Sequence, residues 1–493
     1  MRKRLGQSSE TSVAVALLLL AFAVRAVDFG NPVIHVDEQY YLLVGDRMLH
    51  GALPYIDIWD RKPVGLFAIF AAIRLLPGDG VLAYQIVATL FAAATAWLVS
   101  RGARTLGANR LGAFAAGAAY VVWLSLHSGR GGQSPIFYNL FTTGAALLTL
   151  RLPRLADRRA VAAIIVNGAL ACLLAGLAIQ TKYTPAVEGA FFGLAHLIYL
   201  RRAGAGWIGV AGAALLWLSL GLAPTLIVAA IYWAHGPVAL QAFWFANFES
   251  ILLRGHYSYP PGLIARRLLG IGAIEAPLLV CAALAARRVP RSAEMRLALG
   301  WLGAAIAGFA VLGTFFDHYA LPLVAPIVMI AAITLGRDRR IAIAVLALGL
   351  VTVAVRQTMR TSDAAGAYAV ARVVAANSGD ECPYVFTGDS ITYLLANACL
   401  PTAYAFPSTL AYAPEQGATG IDEAGEVRRI LSRRPPVIVR GSMPLAEWNR
   451  GSRALVDTAL AHDYRPVFTA PRDDYRLIVY LRRDRAYRSP IVR

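Results

Sequence analysis

Apolar runs fill positions 12 to 355, and clusters of arginine occupy every second interval between them. A chain patterned this way can satisfy its backbone polar groups in a bilayer only as membrane-spanning helices. The runs lie at 12–27, 80–100, 111–126, 134–150, 160–179, 185–200, 206–233, 263–286, 297–314, 320–336 and 340–358. Several fall short of the roughly 20 residues a comfortable span needs, as happens within a packed bundle. The fold class read here is an α-helical polytopic membrane protein with about eleven transmembrane helices.

The arginine clusters orient the bundle. Arg101, Arg104 and Arg110 fall in one interval, and Arg151, Arg154, Arg158 and Arg159 in another. Arg201 and Arg202, then Arg287, Arg288, Arg291 and Arg296, then Arg337, Arg339 and Arg340 follow in alternate loops. Basic loops stay cytoplasmic, so the N-terminus is cytoplasmic too. The net charge of +18 is therefore a topology signal, and nucleic acid is excluded as a partner. The first run follows Arg2, Lys3 and Arg4 without a small-x-small cleavage site and reads as a retained signal anchor. Residues 63–76, PVGLFAIFAAIRLL, number 14 and include Arg74, and a span there would invert every later loop. They read as a juxtamembrane or re-entrant helix, which leaves a long first external loop at 28–79.

After 358 the composition becomes that of a soluble protein, dividing the chain into a membrane domain, 1–358, and an external domain, 359–493. In the latter, CPYVFTG, PPVIVRG and RLIVYLRR read as strands and DEAGEVRRILSRR as an amphipathic helix. A small α/β domain without a phosphate-binding glycine loop is expected. Cys382 and Cys399 both lie there and form a possible disulfide if the compartment is oxidising. Cys172 and Cys281 sit in apolar runs as small buried hydrophobes. The Ala- and Arg-rich, Lys-poor composition points to a bacterium of high genomic G+C, so the protein is placed in the inner membrane with its external face periplasmic.

The first external loop, NPVIHVDEQYYLLVGDRMLHGALPYIDIWDRKPVGLF, concentrates the polar chemistry. Asp37 and Glu38 are adjacent, and on a helix they point about 100° apart, so one of them faces a given substrate. Asp57, Asp60, Arg61 and Lys62 form a second cluster closed by Pro63. By charge alone, these are equally a solvated loop with an N-cap at Asp37. His35, His50 and His127 lack zinc-site spacing and read as structural.

These residues resemble the GT-C glycosyltransferases, in particular the bacterial branch that includes protein O-mannosyltransferases and the lipid A aminoarabinose transferase. The resemblance rests on the acid pair followed by aromatics, DEQYY at 37–41 with Tyr40, and on the Asp60-Arg61-Lys62-Pro63 motif ending the loop. It extends to Thr181-Lys182 between middle spans and to His318-Tyr319-Ala320-Leu321-Pro322 at a late one. It covers the membrane part, and the C-terminal domain in general layout. The family implies an inverting-type transfer of a hexosyl or pentosyl group from a polyprenyl-phosphate donor to a lipid, glycan or protein acceptor, on the periplasmic face. By that resemblance Asp37, or secondarily Glu38, is the base. Lys62, with His318 and Tyr319, stabilises the leaving phosphate.

The chain departs from the family pattern in three ways. Lys62-Pro63 is followed by Val64 where relatives have a second proline, and His318 stands where many carry Arg. The second external loop, SLHSGRGGQSPIFYN at 125–139, has no acid, so the sequence supports no metal site, and no cofactor is expected. Arg130 in that loop is either a solvated arginine or a contact to the anionic donor. The aromatic loop at 241–262 contains Trp244, Phe245, Arg254, His256, Tyr257 and Tyr259. It reads as an interfacial anchor, or as a lid placing Arg254 or His256 near the phosphate.

The alternative function is a transporter or flippase of a lipid-linked or polar substrate. Its weakness is that the spans carry few acids, chiefly Glu188 and Glu275, whereas transporters place charges near the midplane. A ligase acting on lipid-linked sugars through a late external loop is a third reading, with 234–262 as its loop.

Overall fold

A computed structural model describes residues 2–253, 257–288, 292–360, 363–472 and 475–490, with side chains from residue 10 onward. The protein is a polytopic α-helical membrane protein that also carries a small four-stranded sheet. Among the described residues, eight helices are long and apolar enough to cross a membrane. They are Glu10–Asp28, Val81–Thr105, Val161–Ile179, Trp207–Ala234, Pro261–Arg288, Ala293–Val311, Asp317–Leu335 and Arg339–Thr358. The other three apolar runs are also helical. Arg110–Leu126 and Ser134–Thr149 have 17 and 16 residues, while Pro185–Arg202 carries Glu188, Arg201 and Arg202.

Exposure explains why these helices need lipid. In Trp207–Ala234 only 6% of the most apolar stretch is buried, and Leu215, Leu218, Leu226, Ile227 and Trp233 are exposed. A helix apolar all round and left uncovered is stable only with hydrocarbon against it. Asp317–Leu335 is the opposite case, 83% buried by protein.

The chain divides into two compact units. The first comprises 1–28, 85–228 and 259–357, and its described regular elements are all helices. Small residues let its helices meet closely, as expected where no water drives association. A methyl group on Gly112 would lie 2.1 Å from the carbonyl oxygen of Ala332. Asn109 caps the same helix and donates to Gly336 O at 2.5 Å.

The second unit comprises 29–84, 229–258 and 358–493. Its sheet has the order β1-β2-β4-β3, from β1 (Tyr384–Val385), β2 (Val437–Gly441), β3 (Tyr464–Arg472) and β4 (Tyr475–Arg482). β1 and β2 are parallel and the other pairs antiparallel. In β4, Leu477, Val479 and Leu481 alternate inward, the two-residue period of a strand with one buried face. Three of the strands were legible as apolar runs, and the amphipathic helix forms at Glu423–Ser432, burying Val427 and Ile430. Cys382 and Cys399 are joined by a disulfide.

In the first loop, the helix Val36–Leu49 packs on the helix Val64–Arg74. Gly45 permits the approach, because a β-carbon there would lie 2.6 Å from Ala71 N and 2.7 Å from Phe70 C. The segment Val64–Arg74 is thus an 11-residue helix, about 16 Å long and half the depth of a bilayer core. Its Arg74 is neutralised by Asp46 at 3.0 Å. The N-cap of Val36–Leu49 is His35, not Asp37: the His35 ring Nδ1 accepts from the backbone N–H of Asp37 at 3.4 Å.

Candidate active site

Within the second unit, the two polar clusters of the first loop converge. His35 caps the helix Val36–Leu49, so Asp37 and Glu38 lie in its first turn, where the positive end of the helix dipole favours anions. Their environments differ. Glu38 is fully buried and accepts from the Tyr84 hydroxyl at 3.3 Å. The Asp37 side chain is 17% exposed, and its Oδ1 lies 3.7 Å from Lys62 Nζ. Of the adjacent acids, Asp37 is the one that reaches solvent.

Lys62 is held from several sides. Its Nζ lies 3.3 and 3.4 Å from the carboxylate oxygens of Asp60, and over the rings of Tyr41 and Phe406 at 5.1 and 5.9 Å. Asp60 also accepts from the backbone N–H groups of Arg61 at 2.6 Å and Lys62 at 3.2 Å. One buried carboxylate therefore both folds the turn and faces the lysine. Tyr40, wholly buried, donates to Trp59 O at 2.8 Å. Burial, reinforced by the Asp60 charge, holds its phenol well above the ordinary value, so it remains a neutral donor.

The rest of the loop acts as a frame. Arg61 lies over Trp59 and bonds Glu415 at 2.6 Å. Asp57 is exposed and accepts from Leu53 N at 2.7 Å, closing a turn. Tyr55 sits inside that turn at φ +72°, a conformation a bulky residue adopts only when its surroundings enforce it. Its hydroxyl donates to Lys62 O at 2.7 Å and lies 3.2 Å from Asn247 Oδ1. Its ring packs against Tyr232 and Phe243, so these two aromatic residues brace the lysine turn. Arg254 and His256 lie outside the described residues.

The remaining predicted residues gather in the first unit. Lys182 Nζ lies 4.2 Å from the centre of the Tyr319 ring, and the rings of Tyr319 and His318 meet edge to face at 4.6 Å. Asp317 accepts from Ser128 Oγ at 2.5 Å and from the backbone N–H of His318 at 2.8 Å. Arg130 is not solvated: its side chain is 14% exposed and paired with buried Asp28. Arg25 fixes the same loop by donating to Gly129 O at 2.5 Å and Gly131 O at 2.6 Å. Among the described residues, no group of three His, Cys, Asp or Glu side chains is placed to hold a metal ion.

Sequence reasoning passed over Tyr41, Phe406 and Glu415. Tyr41 was within reach of it, since it follows Asp37 by four residues and so shares its helix face. Phe406 and Glu415 come from the C-terminal segment, more than 300 residues away, with no motif to mark them.

No protein-family model and no curated protein sequence matches this chain. Solved structures do. The crystal structure of ArnT from Cupriavidus metallidurans bound to undecaprenyl phosphate superposes with a TM-score of 0.60 at 14% identity, over 95% of this chain and 97% of that one. The apo structure of the same protein gives a TM-score of 0.62 at 15% identity, over 95% and 98%. Over nearly its whole length, this chain has the fold of ArnT.

Proposed function

We propose that this protein is an inverting glycosyltransferase that moves a sugar from a polyprenyl-phosphate donor to a lipid, glycan or protein acceptor on the periplasmic face of the inner membrane. The observation carrying the proposal is the convergence of Asp37, Asp60 and Lys62 on one point. It occurs on the fold of a protein whose crystal structure holds undecaprenyl phosphate.

In the proposed reaction the acceptor hydroxyl attacks the anomeric carbon and its proton passes to Asp37. The bond from that carbon to the phosphate oxygen breaks, and polyprenyl phosphate departs with the electron pair. Lys62 offsets the charge on the departing phosphate. Asp60 and Tyr40 position Lys62, and Arg61 and Asp57 shape the loop around it. Glu38, buried against Tyr84, is the second candidate for the base. By motif and loop position alone, His318 and Tyr319, with Arg254 and His256, are assigned to the donor phosphate, and Lys182 and Arg130 to the substrate loop.

With this function go eleven spans, a cytoplasmic N-terminus, a membrane domain of 1–358 and a periplasmic domain of 359–493. The test is sugar release from a panel of radiolabelled polyprenyl-phosphate sugars by the purified protein in lipid. Turnover by the wild type and its loss in a folded Asp37→Asn variant are expected. Full activity in that variant would remove the base assignment, and uptake or flipping without any glycosyl product would favour transport.

A further inference from the structure

The helix that carries Asp37 is gripped by the C-terminal segment through buried polar contacts the reaction above leaves unused. Arg472, at the end of β3, is 7% exposed, and its partners Asp363 and Asp389 are 3% and 1% exposed. Its guanidinium pairs with Asp363, donates from Nε to Asp389 Oδ1 at 3.2 Å, and donates from Nη2 to Val33 O at 3.0 Å. Asp389 Oδ1 also accepts from Gln39 Nε2 at 3.1 Å, and Gln39 is buried two residues beyond Asp37. Burial alone would lower the Arg472 pKa, but Asp389, Tyr475 and Asp363 together outweigh it and push the value up, so the guanidinium stays charged.

A second grip holds the far end. Arg47, in the last turn of the same helix, donates to Ala398 O at 2.6 Å. Gln39 and Arg47 are about 12 Å apart along the helix axis. Asp389 and Ala398, which receive them, both lie inside the loop closed by the Cys382–Cys399 disulfide. The short helix Ile391–Leu395 of that loop packs against Val36–Leu49.

Stability is a poor reason for such a network, because a buried ionic cluster generally gains little over apolar packing of the same volume. What it supplies is direction. We propose that the disulfide-closed loop 382–399, together with Arg472, is a positioning clamp that sets the height and rotation of the first turn of Val36–Leu49, and so holds Asp37 against Lys62. The inference rests on Asp37 being the base. It makes the C-terminal segment part of the catalytic apparatus without giving it a catalytic residue. A displacement of about 1 Å at a reacting group can cost about a hundredfold in rate, so a clamp of this kind has a kinetic signature.

The test uses the full chain in lipid, with Gln39→Leu and Arg472→Lys. Backbone hydrogen exchange reads the clamp without reference to activity. Faster exchange at residues 36–41, with exchange in β2 unchanged, is expected in Gln39→Leu, and unchanged exchange at 36–41 would overturn the clamp. Steady-state kinetics reads the consequence. A kcat lowered ten- to a hundredfold per donor-binding site, with donor KM within twofold, is expected of a positioning role. A kcat per site equal to that of the wild type would reduce the clamp to a structural feature. If the wild type itself transfers no sugar while exchange at 36–41 responds to Gln39→Leu, the glycosyltransferase proposal fails and the clamp's catalytic role fails with it.

Discussion

Lys62 and Asp60 make opposite predictions for donor binding, which allows the charge logic of the cluster to be tested by sign. Asp37, Asp60 and Lys62 together carry a formal charge of −1, with Lys62 Nζ 3.7 Å from Asp37 and 3.3 Å from Asp60. An anionic donor docking on Nζ meets one cation and two repelling carboxylates. At an effective dielectric of about 40, between protein-surface and water values, a cation about 3 Å away contributes about 2.8 kcal/mol. Lys62→Met should therefore lower kcat/KM about a hundredfold. Asp60→Asn keeps an amide oxygen to accept the backbone N–H groups of Arg61 and Lys62, so the turn survives while a repelling charge is removed. For a phosphate about 5 Å from Asp60 the same estimate gives about 1.7 kcal/mol, or donor affinity roughly tenfold tighter. The assay is transfer of radiolabelled sugar at varied donor concentration in nanodiscs, with undecaprenyl phosphate as competitor to read affinity directly. Lys62→Met activity within threefold of the wild type, or weaker undecaprenyl phosphate competition in Asp60→Asn, would refute the assignment of Lys62 to the phosphate.

Glu38→Gln keeps an acceptor for the Tyr84 hydroxyl and should retain activity within about fivefold, whereas Glu38→Ala removes that buried hydrogen bond and should lose about 1 kcal/mol of stability in thermal melts. Gly45→Val drives a side chain into the backbone of Ala71 and Phe70 and should cost about 2–3 kcal/mol, visible as a lowered melting temperature together with impaired transfer. Glu426 is bonded to Arg429, which, with Thr402 and against partial burial, holds its carboxyl below the ordinary value of 4.5. A lowered acid pKa stabilises the fold above the unfolded value, and the contribution is lost as pH falls through the folded value. The melting-temperature deficit of Glu426→Gln should thus be present at pH 7 and fade below about pH 4.5; a deficit independent of pH would contradict the pairing.

How far the fold could be read from the chain depended on whether the deciding interaction was local. The bundle was legible because hydropathy and arginine clustering act segment by segment, and the 11-residue helix Val64–Arg74 follows from a run too short to span. Ser134–Thr149 and Pro185–Arg202 were legible as helices, although length or charge sets them apart from the longer spans. β3 was missed because YRPVFTAPR mixes prolines and arginines into an edge strand, where only one side must be satisfied and alternation is weak.

The site divides along the same line. Asp37, Asp60 and Lys62 could be singled out because they sit in one loop between two apolar runs, and Tyr41 lies one helical turn from Asp37. That Asp37 and not Glu38 reaches solvent depends on what covers Glu38, and Tyr84 lies 46 residues away. Phe406, Glu415, Asp389 and Arg472 sit in a segment whose composition marks it only as soluble. Each meets the first loop across more than 300 residues of chain, and no local pattern encodes a partner at that distance. What the sequence does show is that Arg472 and Asp389 each close a largely apolar stretch, in VFTAPR and VFTGDS. A charge that a soluble domain buries must find an opposite charge or a polar group on whatever covers it. The covering element is the helix of Asp37, whose first turns present Gln39 and, just before them, the carbonyl of Val33. Burial of Arg472 and orientation of the carboxylate are therefore met by the same contacts, and a substitution that spares the fold of the C-terminal segment can still act on the first loop.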